Sequence, residues 1–132
     1  MLKIYLARHG QDEDNAEGIL NGHRDRSLTD LGIKQAQDIA NKIKDADMKF
    51  DAIYSSPLKR TLQTANIIAD TKGFKEVVPL EGLIERNFGI MTGKLVKDIE
   101  SLCAPDILKT EIITYFLCPE GAETFPDLIK RG

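Results

Sequence analysis

At 132 residues the chain is the size of one domain, able to bury roughly two-thirds of the surface its unfolded form exposes. Hydrophobic content of 42% and charged content of 30% are ordinary for a globular protein, and a net charge of −3 argues against a general nucleic-acid binder, which carries a basic excess. No apolar run approaches the ~20 residues of a spanning helix, and the stretch before Arg8 is too short for a signal peptide. Cys103 and Cys118 form neither a C-x-x-C pair nor a zinc pattern. The chain is therefore expected to be cytoplasmic with reduced thiols, and to meet neither membrane nor nucleic acid.

Leu2-Lys3-Ile4-Tyr5-Leu6-Ala7 reads as a first β-strand that ends on Arg8-His9-Gly10. Arg8 is a permanent cation with a planar donor fork. His9 is the side chain best able to be a neutral nucleophile near pH 7. Gly10 lets the backbone turn close to a ligand. Ligands of open α/β sheets bind at strand carboxyl ends, so the placement fits a phosphate site. From Gln11 to Ser27 the chain is polar, and its acidic run Asp12-Glu13-Asp14 is expected to be a solvated loop.

A helix follows, with Thr29 as N-cap and Ile33, Ala36, Ile39, Ala40 and Ile43 on one face. Phe50 to Ser55 reads as a second strand. Ser56-Pro57 then starts a helix, with Ser as N-cap and Pro at the first position. That helix carries Leu58, Leu62, Ala65 and Ala69 and ends near Gly73, an αL cap. Lys75 to Leu80 is a third strand, and Glu81 to Gly93 is irregular. Residues 94–102 and 106–117 are read as helical, the second against the strand propensity of Ile112-Ile113-Thr114-Tyr115-Phe116. A last helix begins near Thr124. Strand and helix in alternation define an α/β fold, a mostly parallel sheet with right-handed crossovers and helices on both faces.

Lys59 and Arg60 fall in the first turn of the Ser56-Pro57 helix, where cations oppose the helix dipole. Free N–H groups at that end already attract anions. Two added cations make sense if an anion is held there. Lys59 reads as extending into water; Arg60 is open between that role and an anion contact.

In order along the chain stand Arg8-His9-Gly10 with Asn15, then Gly22 to Gly32 with Gln35-Ala36, then Ser55-Ser56-Pro57-Leu58-Lys59-Arg60-Thr61 with Thr64-Ala65. Leu83-Ile84-Glu85-Arg86-Asn87-Phe88-Gly89 with Gly93, and Pro119-Glu120-Gly121-Ala122-Glu123-Thr124, complete the set. Together they resemble the histidine phosphatase superfamily, the phosphoglycerate mutase-like proteins. The resemblance implies a three-layer α/β sandwich spanning residues 1–132 as one domain. It also implies phosphoryl transfer on a small phosphorylated metabolite through a phosphohistidine, with no metal and no cofactor. His9 would be the nucleophile, and Arg8 and Arg60 would neutralise the transferring oxygens with Asn15 as a neutral donor. Glu85 would be general acid and then base, a task that needs a carboxyl whose pKa is raised by burial or a nearby charge. Gly22 and His23 are carried as candidate substrate contacts, although the family places no catalytic group at the His23 position and a surface-loop role is favoured there.

Two departures from the family matter. The Ser or Thr it has three positions after the nucleophile is Asp12 here, which must either point away from phosphate or narrow the substrate range. The family's second catalytic histidine, in a later strand that pairs with the first, has no counterpart, since no histidine follows His23. The 132 residues are thus expected to be the amino-terminal portion of a family member, with an incomplete site and a first strand open on one edge. A phosphatase is the favoured activity. A mutase, a phosphate-binding fragment without turnover, and a fragment that associates through its open edge as a homodimer or by strand pairing are the alternatives.

Overall fold

The computed structural model describes residues 1–132. Its helices are α1 (Glu13–Glu17), α2 (Asp30–Asp45), α3 (Lys59–Lys72), α4 (Ile99–Cys103) and α5 (Phe125–Arg131). Its strands are β1 (Tyr54–Ser55), β2 (Val78–Pro79), β3 (Ile107–Lys109) and β4 (Thr114–Phe116). Turns of 3₁₀ helix stand at Glu81–Leu83, Gly89–Met91 and Val96–Asp98.

The two long helices form where the apolar spacing places them. Thr29 caps α2 by accepting from Gly32 N at 3.1 Å, and α2 buries Gly32, Ala36 and Ala40. Ile33 is turned to solvent. α3 ends at Gly73, whose φ of 74° is the left-handed cap that glycine adopts without strain. It buries Thr64, Ala65, Ile68 and Ala69, and it packs on α2.

Two small cores result. Ala65, Ala69 and Val77 pack with Ile53, Leu62 and Phe74 beneath the β1–β2 pair. Met91, Ile99 and Phe116 pack with Leu20, Phe88, Cys103 and Ile107 under the second half of the chain. There the Arg86 guanidinium lies 4.4 Å from the Phe116 ring and 4.6 Å from that of Phe125. It donates to the carbonyls of Phe116 and Glu123, both at 3.0 Å. A buried cation needs its donors satisfied, and these rings and carbonyls do it.

The sheet departs from the sequence reading. β1 and β2 pair in parallel, Tyr54 with Val78 and Ser55 with Pro79, so the parallel pairing expected between the second and third strands is present but short. The segment Leu2 to Ala7 makes no ladder with β1 and stays largely exposed. Residues 106–117 are not a helix. They form the antiparallel β3–β4 hairpin, Leu108 opposite Tyr115, because the β-branched and aromatic run asserts its strand propensity once Phe116 has a core to enter.

Two helix starts also differ. α3 begins at Lys59, two residues beyond the expected Pro57, and its N-cap Leu58 makes no side-chain cap bond. Instead Asp25 reaches over from a preceding loop and accepts from Lys59 N at 2.7 Å. The acidic run is not a solvated loop. Asp12 caps α1 by accepting from Asn15 N at 2.7 Å, and Asp12 and Asp14 are both buried.

Candidate active site

The exit from the first segment is held by close backbone approach. A Cβ on Gly10 would lie 2.2 Å from the Gly32 carbonyl oxygen, and one on Gly32 only 2.0 Å from that of Gln11. Only two glycines allow this crossing of the His9 segment over the start of α2. Gly10 N donates to Thr64 Oγ1 at 3.1 Å, and Gln11 N donates to Gln35 Oε1 at 2.9 Å. α2 and α3 thus fix the main chain immediately after His9.

The His9 imidazole is half-buried. Its Nδ1 lies 2.7 Å from the Gly10 carbonyl oxygen. A carbonyl only accepts, so Nδ1 carries the proton and Nε2 keeps its lone pair. Burial holds the His9 pKa below its ordinary value, and the charges of Arg60 and Arg8 push the same way against the Gly10 hydrogen bond and Asp12. The ring is therefore neutral near pH 7 and presents a nucleophilic nitrogen.

His9 lines an open cleft of about 450 Å³ together with Arg8, Gln11, Asn15, Gln35 and Val96. Arg8 brings an exposed guanidinium to it, and Asn15, in α1, a neutral amide. An imidazole, a guanidinium and a neutral amide thus line one cleft.

Arg60 does not line the cleft. It is buried, donating from Nη1 to the Arg24 carbonyl at 2.9 Å and from Nη2 to the Gly22 carbonyl at 3.0 Å. Its Nε faces Asp12 Oδ2 at 3.4 Å. It reaches His9 through its charge and fixes the loop that carries Gly22, whose φ is 48° and where a Cβ would press on the Phe88 ring at 3.1 Å. Asp12 is buried and does not line the cleft; its carboxylate meets Arg60, Asn21 and the Asn15 main-chain amide.

Glu85 and His23 lie outside the cleft, next to each other. His23 Nε2 donates to the Glu85 carbonyl at 2.6 Å. The Glu85 carboxylate is exposed and accepts from Arg86 N at 2.7 Å. Arg86 beside it is buried, its guanidinium against the Phe116 and Phe125 rings.

Residues that shape the site but were given no role in it from the sequence are Asp14, Arg24, Gln11, Gln35 and Thr64. Asp14 is buried and accepts from Arg24 Nε at 2.7 Å, with Arg26 Nε at 3.3 Å. The pattern Asp12-x-x-Asn15 before Gly18 is the signal that announces α1 and its capping box, with Asn15 reaching back to Asp12 N. No spacing rule reveals the long-range partners of Gln35 or Thr64.

The mixed α/β arrangement, with a histidine and an arginine at the mouth of a cleft, is of the phosphoglycerate mutase-like kind, and sequence and structure comparison agree. The model of the histidine phosphatase superfamily (branch 1) matches residues 4–132, and the chain belongs to that superfamily. It is 31% identical over 130 residues to a 2,3-bisphosphoglycerate-dependent phosphoglycerate mutase of Methylobacterium sp. (strain 4-46), covering 97% of this chain and 62% of the mutase. The chain thus spans less than two-thirds of that relative's length.

Among solved structures it resembles a phosphoserine phosphatase of Entamoeba histolytica in complex with 3-phosphoglyceric acid. That match has 43% identity and a TM-score of 0.61, over 70% of this chain and 44% of the phosphatase. It also resembles a mycobacterial glucosyl-3-phosphoglycerate phosphatase complexed with VO3. Here the identity is 25% and the TM-score 0.76, over 94% of this chain and 57% of that one. No helix is long and apolar enough to cross a membrane.

Proposed function

We propose that this chain carries the nucleophilic part of a phosphoryl-transfer site for small phosphomonoesters, and that the activity it belongs to is a phosphatase. One observation carries the reading. The Nδ1 proton of His9 is committed to the Gly10 carbonyl, which leaves Nε2 unprotonated beside Arg8 and Asn15 in an open cleft.

In the proposed step the Nε2 lone pair forms a bond to phosphorus while the bond from phosphorus to the ester oxygen breaks. Arg8 neutralises the equatorial oxygens, and Asn15 donates a neutral hydrogen bond to them. Arg60 contributes from beneath, by its charge and by holding the Gly22 loop. Glu85, kept from the matched Leu83–Gly93 segment, donates a proton to the departing oxygen. Water then attacks phosphorus as it gives a proton to the Glu85 carboxylate, and the bond from Nε2 to phosphorus breaks, releasing orthophosphate and returning Nε2 to its free form. The short segment between Glu85 and Pro119 and the phosphatases among the structural neighbours favour hydrolysis. The identity to a phosphoglycerate mutase keeps transfer to a second hydroxyl as the other reading.

Incubation with a labelled phosphomonoester, followed by mapping of acid-labile phosphopeptides, tests the proposal. Label on the peptide that contains His9, lost in His9→Ala, is the expected result. Label on His23 or on a serine would overturn it, and saturable phosphate binding without any label would favour a binding module.

A further inference from the structure

The Arg131 side chain, in the last turn of α5, is committed almost entirely to one stretch of backbone. Its Nη1 donates to the Gly82 carbonyl at 2.8 Å, and its Nη2 to the carbonyls of Ile84 at 2.7 Å and Glu85 at 3.2 Å. Nε and Nη2 also grip Glu123, at 2.5 Å to Oε1 and 3.0 Å to Oε2. Glu123 reaches the far side of the same stretch. Its Oε2 accepts from Asn87 N at 3.3 Å, its own N donates to the Asn87 carbonyl at 2.9 Å, and its carbonyl accepts from Arg86. The segment 82–87 is therefore bracketed by one bidentate ion pair.

We propose that Arg131, acting with Glu123, is the positioning residue that sets where Glu85 stands relative to the His9 cleft. The inference rests on the reading of Glu85 as proton donor. The Glu85 carboxylate is exposed and outside the cleft, so the placement of its main chain decides whether a turn of the side chain brings it to a leaving oxygen. That main chain is held at the Glu85 carbonyl, which receives both Arg131 Nη2 and His23 Nε2. His23 in turn lies between Gly22 and Arg24, whose carbonyls are fixed by Arg60, and Arg60 faces Asp12, three residues past His9. An unbroken series of polar contacts thus runs from the His9 segment to the Glu85 segment, and Arg131 closes it.

The pair is not an ordinary surface ion pair. The side chains are 26% and 15% exposed, and the bidentate charge-assisted geometry is the strong form of the interaction. The Arg131 hydrogen bond is the main reason the Glu123 carboxyl sits below the usual carboxylate range. Lysine keeps the charge but cannot span a carboxylate and three carbonyls with a planar fork.

The test uses His9 labelling under single-turnover conditions with two donors that differ in their need for a proton. β-Glycerophosphate has a poor leaving oxygen; para-nitrophenyl phosphate has one that departs unprotonated. Arg131→Lys and Glu123→Gln should slow labelling from β-glycerophosphate by about tenfold or more, while the nitrophenyl donor changes less than about twofold. Glu85→Gln should show the same dependence on donor. Amide hydrogen exchange over residues 82–87 should quicken in both clamp variants and verifies that the rest of the fold is kept. Equal slowing with both donors in a folded variant, or no slowing, overturns the positioning role. Donor-independent labelling in Glu85→Gln overturns Glu85 as proton donor and with it the task assigned to Arg131. No label in the unsubstituted chain from either donor overturns the phosphohistidine reading itself.

Discussion

Asp12 and Arg60 face each other 3.4 Å apart in a place closed to water, with the carboxylate 0% and the guanidinium 1% exposed. Each is otherwise satisfied by groups of opposite character. Asp12 accepts from Asn15 N at 2.7 Å and from Asn21 Nδ2 at 2.6 Å, and Arg60 donates to two loop carbonyls. The carboxylate that looked out of place in a phosphate site is therefore the counter-charge of a buried arginine, and it ties α1, the Gly22 loop and α3 together.

Asp12→Ala should be strongly destabilising. It leaves a buried guanidinium uncompensated, which typically costs about 3–5 kcal/mol, and removes the α1 cap, worth about 1 kcal/mol. Asp12→Asn keeps the shape and can keep the cap, so it should lie between that variant and the unsubstituted chain. Urea unfolding gives the order directly. A loss below about 1 kcal/mol in Asp12→Ala would mean that the pair contributes no more than a surface one.

His9 should titrate below its usual value of 6.5, because burial, Arg60 and Arg8 disfavour the imidazolium. The unfolded chain takes up its proton near 6.5 and the folded chain only at lower pH. Stability from this group is thus fully present above 6.5 and falls as pH drops through that value toward and through the folded-state pKa. Following the His9 ring proton by NMR against pH checks the sign, and a midpoint at or above 6.5 would contradict it. The same shift keeps Nε2 reactive toward carbethoxylation on the acid side of 6.5.

Gly32→Ala separates two effects of opposite sign. Within a helix, alanine is better than glycine by about 1 kcal/mol. Here its Cβ would stand 2.0 Å from the Gln11 carbonyl oxygen, so backbone must move. Overpacking of this kind costs about 1–3 kcal/mol, and the clash should win. The variant should be less stable and its His9 ring more exposed, which thermal unfolding and carbethoxylation rates would read. A gain in stability would show that the His9 segment moves aside freely.

What was legible in the sequence follows from the range of the forces involved. α2, α3 and the Gly73 cap were readable because capping and apolar spacing are local, and the Thr124 start of α5 for the same reason. The Asp12–Asp14 stretch was misread because its acidity is neutralised by Arg24, Arg26 and Arg60, which are distant in sequence. The β3–β4 hairpin was misread because helix and strand signals compete in Ile107–Phe116, and only Phe116 entering the core decides between them. In the site, Arg8, His9 and Asn15 were both named and found together. Arg60 and Glu85 were named from motifs, which carry identity but not the rotamer or partner a side chain adopts.

The first segment supplies the last prediction. Leu2, Ile4 and Leu6 alternate as a strand should, yet they are 85%, 70% and 94% exposed. Burying three such side chains stabilises by about 5–9 kcal/mol. Ordering six residues costs about 6–12 kcal/mol. The two nearly cancel, so the segment has no reason to form a strand until another strand also satisfies its backbone. A second copy of the chain offers the same unpaired ribbon, and self-association should be weak and concentration-dependent. Sedimentation velocity over a concentration series should show it. Ile4→Lys with Leu6→Lys should shift the chain to monomer, since each lysine would have to bury its charge in the new pair. A chain that stays monomeric throughout, or a double variant that associates as before, would place the interaction elsewhere.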